Sequence, residues 1–198
     1  MDTPYRFEGI TLQPGDIVCT RDGTQGTVGG RVWDLIGSLL PGEADHIALY
    51  VGPGPRFLEA GPHGVSYFEM PDGHWNSLSL HAERGFLDRF IGVVSPYSVL
   101  ADTAATEHLL RTRILDYCTH QLGKPYNFNF LDPHTEAAFY CSQLAYKAFL
   151  TLGLDLHTGA GVPRLPLTLR MAVLPQEIWQ GAPGERQRVQ PMATDVSM

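Results

Sequence analysis

Basic residues are scarce in this 198-residue chain, where 14 Lys and Arg stand against 21 Asp and Glu for a formal net charge of -7. A surface for nucleic acid or for an anionic membrane needs clustered Lys and Arg, so neither partner is expected. Cysteine is sparse too. Cys19, Cys118 and Cys141 cannot form a closed disulfide set, and without a Cys-x-x-Cys spacing they do not point to zinc or dithiol chemistry. At least one thiol is therefore free. Long apolar runs are missing as well. Met1 to Gly15 contains Asp2 and Glu8 but no signal-peptide core, and no later stretch would span a bilayer. The expected address is the cytoplasm by default, with signal-independent export as the alternative. The histidines show no His-Glu-x-x-His or related ligand spacing, so no metal is expected. Gly23 to Gly30 is rich in glycine but lacks the Gly-Lys-Ser/Thr ending of a phosphate loop and reads as a flexible loop.

What is present suffices for one core. With 43% hydrophobic residues the chain fits a single domain, expected over 1–179, followed by a C-terminal tail over 180–198 with little apolar periodicity. Ile17-Val18-Cys19 follows a turn and reads as a buried strand, and Arg31 to Leu40 carries its apolar residues on one helical face. Asp45 to Val51 is the clearest strand. The four-residue turn Gly52-Pro53-Gly54-Pro55 returns it as Arg56 to Ala60, a hairpin. Val65 to Phe68 and Phe90 to Val94 extend an antiparallel sheet, and Thr103 or Thr106 can cap a helix running to about Leu122. Pro175 to Trp179 reads as a short helix or turn. A sheet packed against helices, an α+β fold, requires the fewest assumptions.

Cys141, Leu144, Ala145, Ala148, Phe149 and Leu152 recur at the spacing of one helical face, and the turn residues Asp132 to Thr135 precede them. The spacing predicts a buried central helix with Cys141 in its first turn. Unpaired backbone N–H groups and the positive end of the helix dipole there favour a thiolate. On the hairpin, pairing Val51 with Arg56 puts His46 opposite Gly61, with Glu59 as its diagonal neighbour on the same face. Cys141, His46 and Glu59 together make a nucleophile, a base and an acid that orients the base. Taken singly, each has a plainer role: a packed thiol, a strand-end histidine, a solvated hairpin carboxylate. His63, just beyond the return strand, is the substitute if Glu59 does not hold the histidine.

The ordered motifs Pro14-Gly15-Asp16-Ile17, Asp45 to Gly52, Leu58-Glu59-Ala60 with Gly64-Val65, Gly123-Lys124-Pro125-Tyr126 and Tyr140 to Leu144 resemble the YiiX-like branch of the NlpC superfamily. These are papain-like cysteine hydrolases of circularly permuted topology. The resemblance spans about Leu12 to Gly153 and implies an antiparallel sheet packed against a central helix that carries the nucleophile. It further implies Cys141 as nucleophile, His46 as base, Glu59 as third member and Tyr126 as a residue lining the oxyanion site, with no cofactor. The chain departs from the pattern at Asn127, where Asp is expected, and at Gln143, where Glu is commoner; both departures bear on substrate contacts. The implied activity is cleavage of an amide or related acyl bond, in a cell-wall-type peptide or a small acylated or lipid-like molecule. Acyl transfer, thioester cleavage, or ligand binding without turnover are the alternatives on the same fold.

Overall fold

The computed structural model describes residues 4–22, 42–162 and 170–190. The expected loop at Gly23 to Gly30 and helix at Arg31 to Leu40 lie outside the described residues. A small hairpin opens the chain, β1 (Tyr5–Phe7) and β2 (Ile10–Leu12), turned by Glu8 and Gly9 at φ 50° and 79°. Positive φ at both central residues matches the twist of the flanking strands. There follow β3 (Ile17–Asp22), β4 (His46–Tyr50), β5 (Arg56–Gly61), β6 (Gly64–Glu69), the one-turn helix α1 (His81–Arg84) and β7 (Asp88–Ser95). Helices α2 (Ala104–Thr119), α3 (Cys141–Leu150) and α4 (Pro175–Gly181) and strand β8 (Glu185–Arg188) complete the elements of the described residues.

Among the described residues the main sheet has six strands in the order β6-β5-β4-β3-β7-β8, and each neighbouring pair is antiparallel. It is buried on both faces, so successive strand residues enter different cores. Ile17, Cys19, Ile47, Leu49 and Leu58 pack with Leu144, Ala148 and Phe149 of α3. Val18, Ala48, Tyr50 and Phe57 face Phe7, Phe68 and Trp75 on the other side. Full burial of a side chain such as Phe57 or Leu144 stabilises by about 1.5–3 kcal/mol relative to exposure. The fold is the α+β arrangement expected, with the central helix starting at Cys141 as its spacing predicts. Thr103 caps α2, its Oγ1 accepting from the Thr106 N–H at 3.1 Å.

The Pro14-Gly15-Asp16 motif finds its reason on α2. Arg111 is buried, donates to Asp16 Oδ1 at 2.8 Å, to the Pro14 carbonyl at 3.0 Å and to Ser95 Oγ at 2.9 Å, and lies 4.0 Å over the Tyr97 ring. One guanidinium thus pins the helix to the start of β3 and the end of β7. Among the described residues no helix is long and apolar enough to cross a membrane.

The chain after Gly181 lies along the surface at the edge of the sheet. Where a tail was expected, Glu185–Arg188 adds an edge strand to the sheet, with Gly92 opposite Arg188 and Ser95 opposite Glu185. A charged four-residue strand lacks the hydrophobic alternation that marks a strand in sequence, and charge is how exposed edges avoid further pairing. Its anchors are tertiary. Arg186 and Arg188 lie 5.4 and 5.2 Å from the Trp179 ring, and a Cβ at Gly92 would stand 2.2 Å from the Gln187 carbonyl.

Candidate active site

The first turn of α3 is held by side-chain amides. Gln143 Oε1 accepts from the Tyr140 N–H at 3.2 Å and from Asn127 Nδ2 at 3.0 Å, while Gln143 Nε2 donates to the Thr135 carbonyl at 3.0 Å. Asn127 in turn accepts from the Asn129 N–H at 2.9 Å. The loop before the helix is thereby strapped to it. Asn127 and Gln143, the two departures from the family pattern, are both buried and bonded to each other. On the other side, Ser142 Oγ donates to the Val173 carbonyl at 2.7 Å, and the Val173 N–H donates to Tyr140 Oη at 3.1 Å. Cys141 sits between these ties at the helix start with 7% of its surface exposed.

His46 opens β4 on the face of Ala48 and Tyr50, opposite the face that α3 covers. Being the first residue of the strand, it reaches Cys141 at the sheet's end, close enough for the two side chains to interact. Its Nε2 lies 2.8 Å from Glu59 Oε2, which leaves Nδ1 for the thiol. The hairpin register is the expected one. Ala48 pairs with Glu59, Leu49 with Leu58 and Tyr50 with Phe57, so Glu59 is diagonal to His46 on one face. His63 is exposed on the turn between β5 and β6. Phe86 closes over the imidazole, with ring centroids 4.8 Å apart at 62°.

Behind Glu59 stands a residue that sequence reasoning missed. Arg84, at the end of α1, donates from Nε to Glu59 Oε1 at 3.0 Å and from Nη2 to Oε2 at 2.7 Å. Two further N–H groups meet Asp88, Nη1 to Oδ1 at 2.8 Å and Nη2 to Oδ2 at 3.1 Å. Asp88 also accepts from Thr20 Oγ1 at 2.8 Å and from Trp75 Nε1 at 3.0 Å. The guanidinium lies over Phe68 at 4.1 Å and Phe86 at 4.4 Å. The stretch from Ser77 to Asp88 has no sustained periodicity, so only the Arg-to-Asp spacing of four was visible.

The electrostatics follow from these neighbours. Burial by itself would lower the His46 pKa, but the charge and hydrogen bond of Cys141, followed by those of Glu59, reverse this and push it up to about 10. For Glu59, burial would raise the pKa, yet Arg84 first and then His46 bring it down to about 2. The site therefore holds His46 against the ionised Glu59 carboxylate, which a buried guanidinium backs. Burial pushes the Cys19 and Cys118 thiols well up.

Tyr126 reaches the site through a backbone bridge. The Asn127 N–H donates to the Phe139 carbonyl at 3.0 Å and the Phe139 N–H to the Pro125 carbonyl at 3.0 Å, which lays Tyr126 beside the start of α3. The other side of this segment rests on β6. The Val65 N–H donates to the Lys124 carbonyl at 2.8 Å, and a Cβ at Gly64 would stand 2.3 Å from that same oxygen. Burial, and then the charge of Cys141, raise the Tyr126 pKa, so its hydroxyl keeps its proton. Among the described residues no group of three His, Cys, Asp or Glu side chains is placed to hold a metal ion.

A helix-borne cysteine that follows, in the chain, the sheet-borne histidine and acid it meets is the arrangement of a permuted papain-like cysteine hydrolase. Residues 11–181 match the family of permuted papain-like amidases described as YaeF/YiiX, C92, and the chain belongs to that family of cysteine hydrolases. No curated protein and no solved structure matches it.

Proposed function

We propose that the protein hydrolyses an amide bond through a covalent acyl-enzyme, with Cys141 as nucleophile, His46 as acid and base, and Glu59 as the residue that positions His46. The observation that carries this reading is the placement of His46 between Cys141, whose proximity raises its pKa, and Glu59, whose Oε2 lies 2.8 Å from its Nε2. The Cys141 thiolate attacks the carbonyl carbon, and the oxyanion that forms is held by the Cys141 N–H and the Tyr126 hydroxyl. As the tetrahedral intermediate collapses, the C–N bond breaks and the His46 imidazolium protonates the leaving amine. Neutral His46 then takes a proton from water as the water attacks the thioester. The second collapse releases the acid and returns the thiolate beside an imidazolium. The substrate in this reading is a cell-wall-type peptide or a small acylated or lipid-like amide.

The test is turnover of a panel of peptide and N-acyl amides together with intact-mass analysis of the stalled enzyme. We expect a mass gain equal to the acyl group, lost in Cys141→Ala, and no turnover in that variant. Glu59→Gln should lose less, roughly 10- to 1,000-fold, since a positioning residue costs less than the nucleophile. Turnover surviving in Cys141→Ala would overturn the reading.

A further inference from the structure

The third residue of the site is itself held by a buried ion pair, and the way that pair is built has a chemical consequence. Glu59 is 2% exposed, and each of its carboxylate oxygens takes an N–H of Arg84. Oε2 is shared, receiving Arg84 Nη2 at 2.7 Å and facing His46 Nε2 at 2.8 Å. A planar fork bound to both oxygens leaves the carboxylate no rotation, and the plane it selects is the one that presents Oε2 to His46. We propose that Arg84 is a positioning residue of this site, whose fork fixes both the orientation and the charge of Glu59 against His46.

Without the guanidinium, Glu59 would keep its contact with the His46 ring and lose both bonds from Arg84. Asp88, on the far side of Arg84, would retain the Thr20 hydroxyl, the Trp75 indole N–H and, through its own backbone N–H, Ser77 Oγ. Two buried carboxylates left with a single imidazolium would be short of positive charge, and a proton would settle on the less supported of them. That group is Glu59, and the nearest proton is the one on His46. Transfer from Nε2 to Oε2 would leave a neutral imidazole beside Cys141. The charged and titratable groups around Glu59 are Arg84 from α1, Asp88 from β7 beyond it, His46 from β4, Cys141 from α3 and the Tyr126 phenol. Arg84 alone among them carries a fixed positive charge.

This inference concerns the site of the proposed hydrolase, but it can be read without any substrate. The experiment is an NMR titration of the His46 ring in protein carrying 13C-labelled histidine, assigned by the signal missing from His46→Gln. Alkylation of Cys141 at neutral pH and thermal melting are followed in parallel. In the wild type His46 should titrate far above an ordinary histidine, and Glu59→Gln should move it down. Arg84→Met should move it down in the same direction although Glu59 is intact, and should slow Cys141 alkylation roughly tenfold or more. Arg84→Lys, which keeps a charge but cannot span both carboxylates, should fall between them and carries the test if Arg84→Met does not fold. His46 titrating as in the wild type in either folded variant overturns the proposal. Failure of every amide substrate would instead count against the hydrolase reading and leave this result in place.

Discussion

His46 and Glu59 meet because Ala48 pairs with Glu59 across the β4–β5 hairpin, which places the imidazole two residues along on the same face and brings Nε2 to 2.8 Å from Oε2. The contact is thus a property of register. A slip of one residue would send Glu59 to the face that α3 covers and separate the pair completely.

The three thiols should differ in reactivity. Cys19 and Cys118 are fully buried, and burial pushes both well up, whereas Cys141 lies at a helix N-terminus beside His46. Iodoacetamide at neutral pH should modify Cys141 first, by roughly a hundredfold or more in rate. Peptide mapping after short labelling checks this, and early modification of Cys118 would count against the site.

The pH dependence has a definite sign. His46 is raised from 6.5 to about 10, so the imidazolium stabilises the fold fully below 6.5 and its contribution fades as pH rises through about 10. Glu59 is lowered from 4.5 to about 2, so its contribution is complete above 4.5 and fades as pH falls through about 2. Turnover that needs the imidazolium as acid should keep its alkaline limb near 10 rather than near 6.5. In Glu59→Gln that limb should move to lower pH. A pH–rate profile of kcat for both proteins makes the comparison.

Gly64 should tolerate no side chain. It sits at φ +86°, and an added Cβ would press against the Lys124 carbonyl at 2.3 Å. Gly64→Ala should cost about 2 kcal/mol or more by denaturant unfolding, from backbone strain and displacement of the 123–126 segment. Turnover should fall as well, because Tyr126 rides on that segment. Wild-type stability in this variant would mean the contact is not held in solution.

The amide pair offers a test of the helix start. Asn127→Asp would replace the donor Nδ2 with an oxygen facing Gln143 Oε1, now 3.0 Å away, and the Asp132 carbonyl, now 3.2 Å away. Acceptors opposed in a buried place should cost roughly 1–3 kcal/mol, read as a lower denaturant midpoint at neutral pH. Acidification that protonates the new carboxyl should restore part of the loss.

Local pattern carried much of this protein. Period-two alternation and a four-residue turn were enough to place His46 and Glu59 on one sheet face. A helical period placed Cys141 at the head of a buried helix, because both signals report which way a side chain points from its own backbone. Tyr126 was legible only through likeness to a family, since its segment is irregular. Tertiary structure alone decided what these residues meet. Arg84 comes from a one-turn helix and Asp88 from the strand after it, and neither has a local reason to find Glu59. Ser142 and Gln143 are buried off the apolar stripe because Val173, Thr135 and Asn127 supply partners from elsewhere in the chain. Strand β8 forms because Gly92 lets its backbone approach and Trp179 receives its arginines. Sequence periodicity sets the direction of a side chain, whereas the partner that offsets the cost of burying a charge is chosen by which elements pack together.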